Sequence, residues 1–216
     1  MQNGARVVRV HSSTVATEGM DTVMLAIGEH LHRADYEVRT IPLAIARELV
    51  VAHHYSRGGS NTATFRHGLF RLDAPDQCLG VAWWIPPTKT AAQSVDENWQ
   101  QVINLTRLVI VPGVPTNAAS YLLGRSISII RRDGRYKTLL TYADEGQGHT
   151  GAIYRATNWT YVGIKAGDPV YLSPEGRHVA RKAGGHTRTN AEMLHLGYVN
   201  TGRTRKHKFV MRLGHD

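Results

Sequence analysis

Four side chains that could carry protons or bind a metal stand at two places in the sequence. His54 and Tyr55 lie in "HHYSR", directly after an apolar run, whereas Asp144 ends "LLTYAD" and Tyr154 follows in "GHTGAIYRATNW". One imidazole, two phenols and one carboxylate suit iron better than copper(I), which prefers sulfur. His54 or Asp144 could instead act as a general base.

Each of these residues also has a structural explanation. Asp144 after a strand could form a turn, and Tyr154 on a short helix could be a core aromatic residue. His54 could be a cation at a helix C-terminus, and His53, on the apolar stripe, is expected to be a packed core histidine. Singly, each residue favours the structural explanation; the four together favour a site.

The elements that would position these residues follow from hydrophobic period and turn residues. Pro42 begins a helix that ends at the histidines. A second, very regular helix is capped by Thr116 or Asn117 and stops at Gly134. A short helix is expected in "GHTGAIYRATNW". The expected strands are "YEVRTIP", the hairpin "TFRHGLFRLD" and "QCLGVAWWIPP" around the turn "DAPD", then "VINLTRLVIVP", "YKTLLTYAD", "TYVGI", "DPVYLSP" and "KHKFVMRL".

This order predicts an α/β (α+β) chain with a mixed central sheet flanked by helices. Asp144 would stand at the C-terminal end of a central strand, where open α/β sheets bind ligands. A length of 216 residues suits a single domain, 1–216, in which residues 1–35 form an arm with a short helix.

Composition excludes several classes of protein. Cys78 is the one cysteine, so neither an internal disulfide nor a cysteine-based zinc site can form. No apolar run approaches the roughly 20 residues of a membrane span, and the N-terminus lacks a signal-peptide core. We therefore expect a cytoplasmic protein that contacts no membrane.

Positive charge is concentrated near the C-terminus. The net charge is +9, and nine of the 26 Lys and Arg residues fall between Arg177 and Arg212, where Glu192 is the only acid. A basic segment at 177–212 in an otherwise balanced chain predicts a polyanion partner, with nucleic acid favoured. The alternative is a solvated basic tail.

The order of elements resembles the GNAT acyltransferase fold from about residue 36 to the end, most closely in "LLTYADEGQGHTGAIYRATNWTYVG". In that fold a loop of the form Q/R-x-x-G-x-G/A holds the pyrophosphate of coenzyme A. Here "PGVPTNAAS" lacks the paired glycines, and Pro112 and Pro115 stiffen it. The resemblance leaves the donor open, as acetyl-CoA or another acyl or glycyl donor.

A sharper resemblance is to the Mom family of phage DNA-modification enzymes. Four segments resemble the Mom family in their order and spacing over roughly residues 50–163. They are "HHYSR", "LTRLVI" followed by "NAASYLLGRS", "YAD" and "GHTGAIYRATNW". This implies conversion of adenine in DNA to a carbamoylmethyl adenine, which protects phage DNA from host restriction. It also implies an iron ion, for which we expect His54, Tyr55 and Asp144 as ligands. The functional positions implied are His54, Tyr55, Asp144 and Tyr154, supported by Arg107 and Ser120.

The supporting residues can be judged on their own chemistry. The Arg107 guanidinium interrupts an apolar strand and must be paired, either as a clamp on a phosphate or carboxylate or in a salt bridge to Asp144 or another acid. Ser120 lies in the first turn of the regular helix, near backbone N–H groups that could bind an anion.

Duplex DNA would have to extrude the adenine, so an aromatic wedge or stacking residue is needed. Trp99, in a polar loop, is the best candidate, because one of the adjacent Trp83 and Trp84 is expected in the core. The expected partners are double-stranded DNA and a small-molecule donor in the bacterial host, with a homodimer left open.

Two alternatives remain. One is a GNAT-type, coenzyme A-dependent N-acyltransferase acting on a small amine or tRNA, and the other is a DNA-binding module without activity. The sequence contains no GxxxxGK[ST], GxSxG or HExxH, which disfavours nucleotide hydrolysis, serine hydrolase and zinc protease chemistry.

Overall fold

An eight-stranded sheet with helices on both faces organises the chain. The computed structural model describes residues 30–55, 63–183 and 185–214. The sheet order is β1-β2-β3-β4-β5-β10-β6-β7, and β8 and β9 form a separate ladder. The strands are β1 (Tyr36–Thr40), β2 (Phe65–Arg71), β3 (Ala74–Ile85), β4 (Val102–Ile110), β5 (Thr138–Asp144), β6 (Thr160–Leu172), β7 (His178–Val179), β8 (Lys182–Ala183), β9 (His186–Thr187) and β10 (Val199–Arg212). The helices are α1 (Leu43–His53), α2 (Lys89–Gln93), α3 (Ala118–Asp133), α4 (Ala152–Ala156) and α5 (Asn190–His195).

The prediction of a mixed α/β sheet is confirmed. Within the described ranges β4 and β5 are the one parallel pair, and α3 makes the crossover between them, as a parallel connection requires. The regular helix is also confirmed: Leu122, Leu123 and Ile130 are buried on one stripe, and Gly134 ends the helix with a left-handed φ of 78°.

Some element boundaries differ from the sequence predictions. The β2–β3 turn is shorter than "DAPD", because β3 already begins at Ala74. "TYVGI" and "DPVYLSP" are not separate strands but one, β6, which runs straight through Gly167 and Pro169 while pairing with β10. The basic segment adds β7, β8, β9 and α5, which its weak periodicity did not indicate.

Residues 1–29 lie outside the described part of the chain, and the helix expected around "DTVMLAIGEHLHR" falls largely there. The N-terminal arm and the single-domain organisation therefore stay predictions. None of the helices described is long and apolar enough to span a bilayer.

The sheet is covered on both faces, so Trp83 and Trp84 are both buried. Trp84 packs with Leu122 of α3 and Tyr154 of α4 on one face. Trp83 packs with Val50 of α1 on the other. Because neighbouring residues of a strand point to opposite faces, an adjacent aromatic pair is fully buried only when both faces carry helices.

Beyond their parallel pairing, β4 and β5 separate. Residues 102–105 pair with 138–141, after which β4 stays with β3 and β5 stays with β10. The β3–β4 register slips between Trp83 and Trp84, so Thr106 stands opposite no β3 residue. Such a bulge bends a strand and interrupts its ladder. The diverging strands leave a cleft between their C-terminal halves.

Candidate functional site

The cleft between β4 and β5 contains a cavity of about 340 Å³. Its walls come from three parts of the chain: the end of α1, the diverging strands, and the loop that leads into α4. The residues that line it are His54, Tyr55, Thr106, Leu108, Tyr142, Ala143, Gly148, His149, Thr150, Gly151, Ala152, Ile153 and Tyr154. The fold therefore brings His54, Tyr55 and Tyr154 together, although they are about 100 residues apart in sequence.

His54 ends α1. Its extended backbone (φ −95°, ψ 136°) stops the helix, while its N–H still donates to the Val50 carbonyl at 3.0 Å. The imidazole lies 4.3 Å from the Tyr55 ring, between centroids. His53 is exposed, because the buried stripe of α1 ends at Val50, so the expectation of a core histidine there is wrong.

The environment of His54 favours its neutral form. Burial, together with the positive charges of Arg107 and His149, lowers the pKa of the imidazole to about 4. At neutral pH one nitrogen of the ring is therefore unprotonated. A neutral imidazole can accept a proton or bind a metal, whereas an imidazolium can do neither.

Tyr55 is about half exposed, and its ring meets that of His149 edge-on at 5.8 Å between centroids. Partial burial and the negative charge of Asp144 raise the pKa of the phenol, while the positive charges of Arg107 and Lys206 lower it. The phenol therefore stays protonated at neutral pH and is a hydrogen-bond donor into the cleft.

Tyr154 is almost fully buried, with 8% of its surface exposed. Its ring packs against Trp159 and Phe209, and its phenol lies near the side chain of Thr141 on β5. Burial raises the pKa of the phenol. The Tyr154 ring is thus part of the hydrophobic core, while its neutral hydroxyl lies in the buried wall of the cleft.

The glycine before α4 fixes the position of Tyr154. Gly151 is the N-cap of α4 with a left-handed φ of 78°, and a Cβ there would lie 2.3 Å from the Phe209 ring. Only glycine allows α4 to approach β10 this closely.

Asp144 stands beside the cleft rather than among its lining residues. Its carboxylate accepts a hydrogen bond from the Gly146 N–H at 3.0 Å, and its carbonyl accepts one from the His149 N–H at 3.1 Å. It therefore shapes the turn that carries His149, as the structural explanation from sequence suggests. Its charge still acts on the Tyr55 phenol.

Arg107 follows the bulge on β4. Its Nη1 donates to the Thr106 carbonyl at 2.7 Å, and burial lowers the pKa of the guanidinium while Tyr55 raises it. Its charge acts on both His54 and Tyr55. Arg107 thus provides a fixed positive charge next to the lip of the cleft.

Ser120 and Trp99 lie outside the cavity lining. The Ser120 hydroxyl donates to the Asn117 carbonyl at 2.8 Å inside α3. Trp99 packs against the small apolar cluster beneath α2, with Lys89 Nζ 5.3 Å from its ring centroid.

Three lining residues, Thr106, Tyr142 and His149, were missed by the sequence reasoning. His149 had a usable signal, because it lies between glycines in the stretch that leads to Tyr154. Thr106 had none, since a bulge without glycine leaves no mark in the sequence.

Metal ligands can be compared with this geometry. Within the described ranges there is no group of three or more His, Cys, Asp and Glu residues that could hold a metal ion. The described side chains therefore do not fit an iron site by themselves.

Known structures share this fold. The IAA acetyltransferase from Bacillus cereus is 9% identical, with a TM-score of 0.51, over 82% of this chain and 99% of that one. A putative acetyltransferase from Salmonella typhimurium with its cofactor acetyl-CoA is 10% identical, with a TM-score of 0.51, over 84% of this chain and 96% of that one. The fold is that of the GNAT acetyltransferases.

Comparison with known sequences identifies the family. The methylcarbamoylase Mom of Escherichia phage Mu is 24% identical over 133 residues, which cover 60% of this chain. The match spans about half (54%) of that curated relative. The model of the Mom protein family matches residues 35–215. The chain belongs to the Mom protein family.

Proposed function

We propose that this protein is a transferase that converts adenine in double-stranded DNA to a carbamoylmethyl adenine and so protects the DNA from restriction in the host cytoplasm. Membership of the Mom family supports a role in DNA modification. The observation that carries the proposal is the cleft, where a neutral imidazole and two neutral phenols from distant segments line one cavity.

The cleft residues match what the reaction requires. The exocyclic amine of adenine must lose a proton as its new C–N bond forms, because its lone pair is delocalised into the ring. His54, with a pKa of about 4, is neutral and can accept that proton. Tyr154, a buried phenol, can donate its proton to the leaving group of the donor.

Charged residues next to the cleft have positioning roles in this proposal. Arg107 supplies a positive charge that can hold an anionic part of the donor. Asp144 shapes the turn before α4 and polarises Tyr55. Ser120 and Trp99, which do not line the cavity, are assigned to more distant contacts with donor and DNA.

The donor is proposed to be an acyl-CoA or a related acyl or glycyl compound, whose carbonyl carbon the amine attacks while the bond to the leaving group breaks. This step forms an N–C(=O) bond, so a carbamoylmethyl adenine, which is joined through its CH2 group, also requires rearrangement of a transferred glycyl group, its isomer. The GNAT fold supports this class of donor, and a structure of the same fold carries acetyl-CoA. Coenzyme A retention by the purified protein, measured by isothermal titration calorimetry, tests the proposal. Absence of binding would move the search to donors without coenzyme A.

Iron stays a prediction from the family resemblance, and no step of the mechanism above depends on it. Elemental analysis of purified protein, with and without chelator, tests it directly. Stoichiometric iron that is lost in His54→Ala would establish the site, and metal-free protein with full activity would remove it.

A coenzyme A-dependent N-acyltransferase acting on a small amine or tRNA is the second candidate, favoured by the same fold likeness. Nucleoside mass spectrometry of plasmid DNA from cells expressing the protein separates the two. A heavier adenine, whose mass identifies the added group, supports DNA modification. Unchanged adenine together with coenzyme A binding supports the acyltransferase.

A further inference from the structure

A second cavity, of about 380 Å³, lies on the sheet face that carries α2. It is bounded by the start of α2 on one side and by the β6–β10 pair on the other. We call it the basic groove and define it by Asn104, Tyr142, Lys165, Arg203 and Lys206, all of which line it. Its volume falls within the range of about 300–1,000 Å³ that is usual for ligand sites.

The basic groove keeps like charges close together. Lys165 and Lys206 are direct cross-strand partners on β6 and β10, an arrangement that destabilises a sheet. Lys206 pairs with Asp168 at 3.2 Å, whereas Lys165 and Arg203 make no ion pair with an acid in the described ranges. The groove therefore has uncompensated positive charge, which a bound anion would neutralise.

Lys208 extends this charge along the same face. It lies two residues after Lys206 on β10, and its Nζ donates to the Ser94 hydroxyl at 2.7 Å. Burial and the charge of Lys165 lower the pKa of Lys208. Lys165, Lys206 and Lys208 thus lie close together on adjacent strands, and such a cluster of positive charge attracts a polyanion.

Asn104 adds a polar group suited to a base. Its Oδ1 is buried and has no hydrogen-bond partner among the residues that the structure describes. A buried acceptor without a partner is unfavourable. A side-chain amide offers both a donor and an acceptor, the pair that recognises the edge of an adenine.

Tyr142 connects the basic groove to the catalytic cleft, because it lines both cavities. Its ring packs against the small cluster containing Ala92 and Leu140, and Lys165 Nζ lies 5.9 Å from its centroid. The charge of Lys206 also acts on Tyr55 in the cleft. A ligand in the groove therefore meets the cleft at Tyr142.

We propose that the basic groove binds the DNA strand that carries the target base, with Lys165 and Arg203 on its phosphates and the extruded base against Tyr142, facing the cleft. Asn104 hydrogen-bonds the edge of that base. This inference rests on the proposed function, in which DNA is the substrate. It places the DNA backbone on the α2 face, so that the amine of the extruded base meets the donor and His54 in the cleft between α1 and α4.

The test is the salt dependence of binding to a fluorescein-labelled DNA duplex, measured by fluorescence anisotropy. Each phosphate contact contributes about 0.9 to the slope of log K against log salt. Lys165→Gln combined with Arg203→Gln should lower the slope by about 2 and weaken binding about tenfold. The matched control is Arg131→Gln with Arg132→Gln, two exposed arginines on α3 at the opposite face, which should leave the slope unchanged.

Two results would overturn the inference: no binding of DNA by the unaltered protein, or equal slopes for the groove variant and the control. Circular dichroism checks that both variants are folded. Nucleoside mass spectrometry separates this inference from the proposed function. Modified adenine with an unchanged slope in the groove variant refutes the groove alone. A reduced slope with no modified adenine from the unaltered protein supports the groove and refutes the proposed function.

Discussion

We predict from the burial of His67 that the stability of the protein falls at low pH. The side chain is fully buried between β2 and α3, with its Nδ1 2.7 Å from the Ser126 hydroxyl, which accepts the Trp84 indole N–H at 2.8 Å. Its Nε2 is buried without a hydrogen-bond partner among the described residues. Protonation would put a charge and an unpaired N–H into the apolar core.

The sign and size of this change in stability follow from the pKa of His67. Burial lowers the pKa of His67 from 6.5 to about 4 in the folded protein. Between these values the unfolded chain binds more protons, so the stabilisation is fully present above about pH 6.5 and is lost as the pH falls toward 4. From about pH 7 to about pH 5 the loss is about 2 kcal/mol, at 1.36 kcal/mol per pKa unit.

Urea unfolding at several pH values measures this loss. His67→Gln keeps an amide that can reach Ser126 but does not titrate, so its free energy of unfolding should fall about 2 kcal/mol less than that of the unaltered protein over the same range. His54, whose pKa is also lowered, titrates in both proteins and cancels in the comparison. Parallel pH profiles would refute the assignment of a buried neutral His67.

Three further predictions concern the glycines before α4, His54 and the N-terminal cap of α5. Gly151→Ala should lower the free energy of unfolding by at least about 2 kcal/mol, because the added Cβ would clash with Phe209 and the backbone is left-handed. The control is Gly148→Ala, where the backbone is also left-handed but the space is open, and it should lower the free energy of unfolding by only about 1 kcal/mol. Equal losses in the two variants would contradict the close approach of Gly151 to Phe209. Product formation should persist as the pH falls from about 7.5 to about 5.5, because His54 stays neutral, whereas a tenfold loss would indicate an ordinary histidine pKa. Thr189→Ala removes the capping box of α5 and should destabilise this helix by about 1 kcal/mol, which corresponds to about fivefold faster hydrogen exchange of its amides. Unchanged exchange would show that the cap does not stabilise α5.

The sequence predicted the elements whose local signals agree with their tertiary environment. α3 combines a 3.6-residue apolar stripe with Gly134 at its end, and both features are present in the fold. β6 was divided into two strands because Gly167 and Pro169 are usual turn residues. Pairing with β10 overrides that local preference, and register shifts absorb the irregularity.

The cleft was predictable only in part. His54 and Tyr55 follow the end of α1, and Tyr154 lies in the short helix α4 after a glycine-containing loop, so their types and positions marked them in advance. The bulge at Thr106 that opens the cleft depends on the register between β3 and β4, which no local pattern records. The basic groove depends on the pairing of β6 with β10, so the composition of 177–212 indicated an anion partner but not where it binds.

The most direct test is nucleoside mass spectrometry of plasmid DNA from cells that express the unaltered protein, His54→Ala or His53→Ala. The two histidines are adjacent, but His54 lines the cleft and His53 is exposed. We predict a heavier adenine with the unaltered protein and with His53→Ala, and its loss with His54→Ala at equal protein levels. Equal amounts of modified adenine in all three, or none in any, would contradict the claim that this cleft modifies DNA.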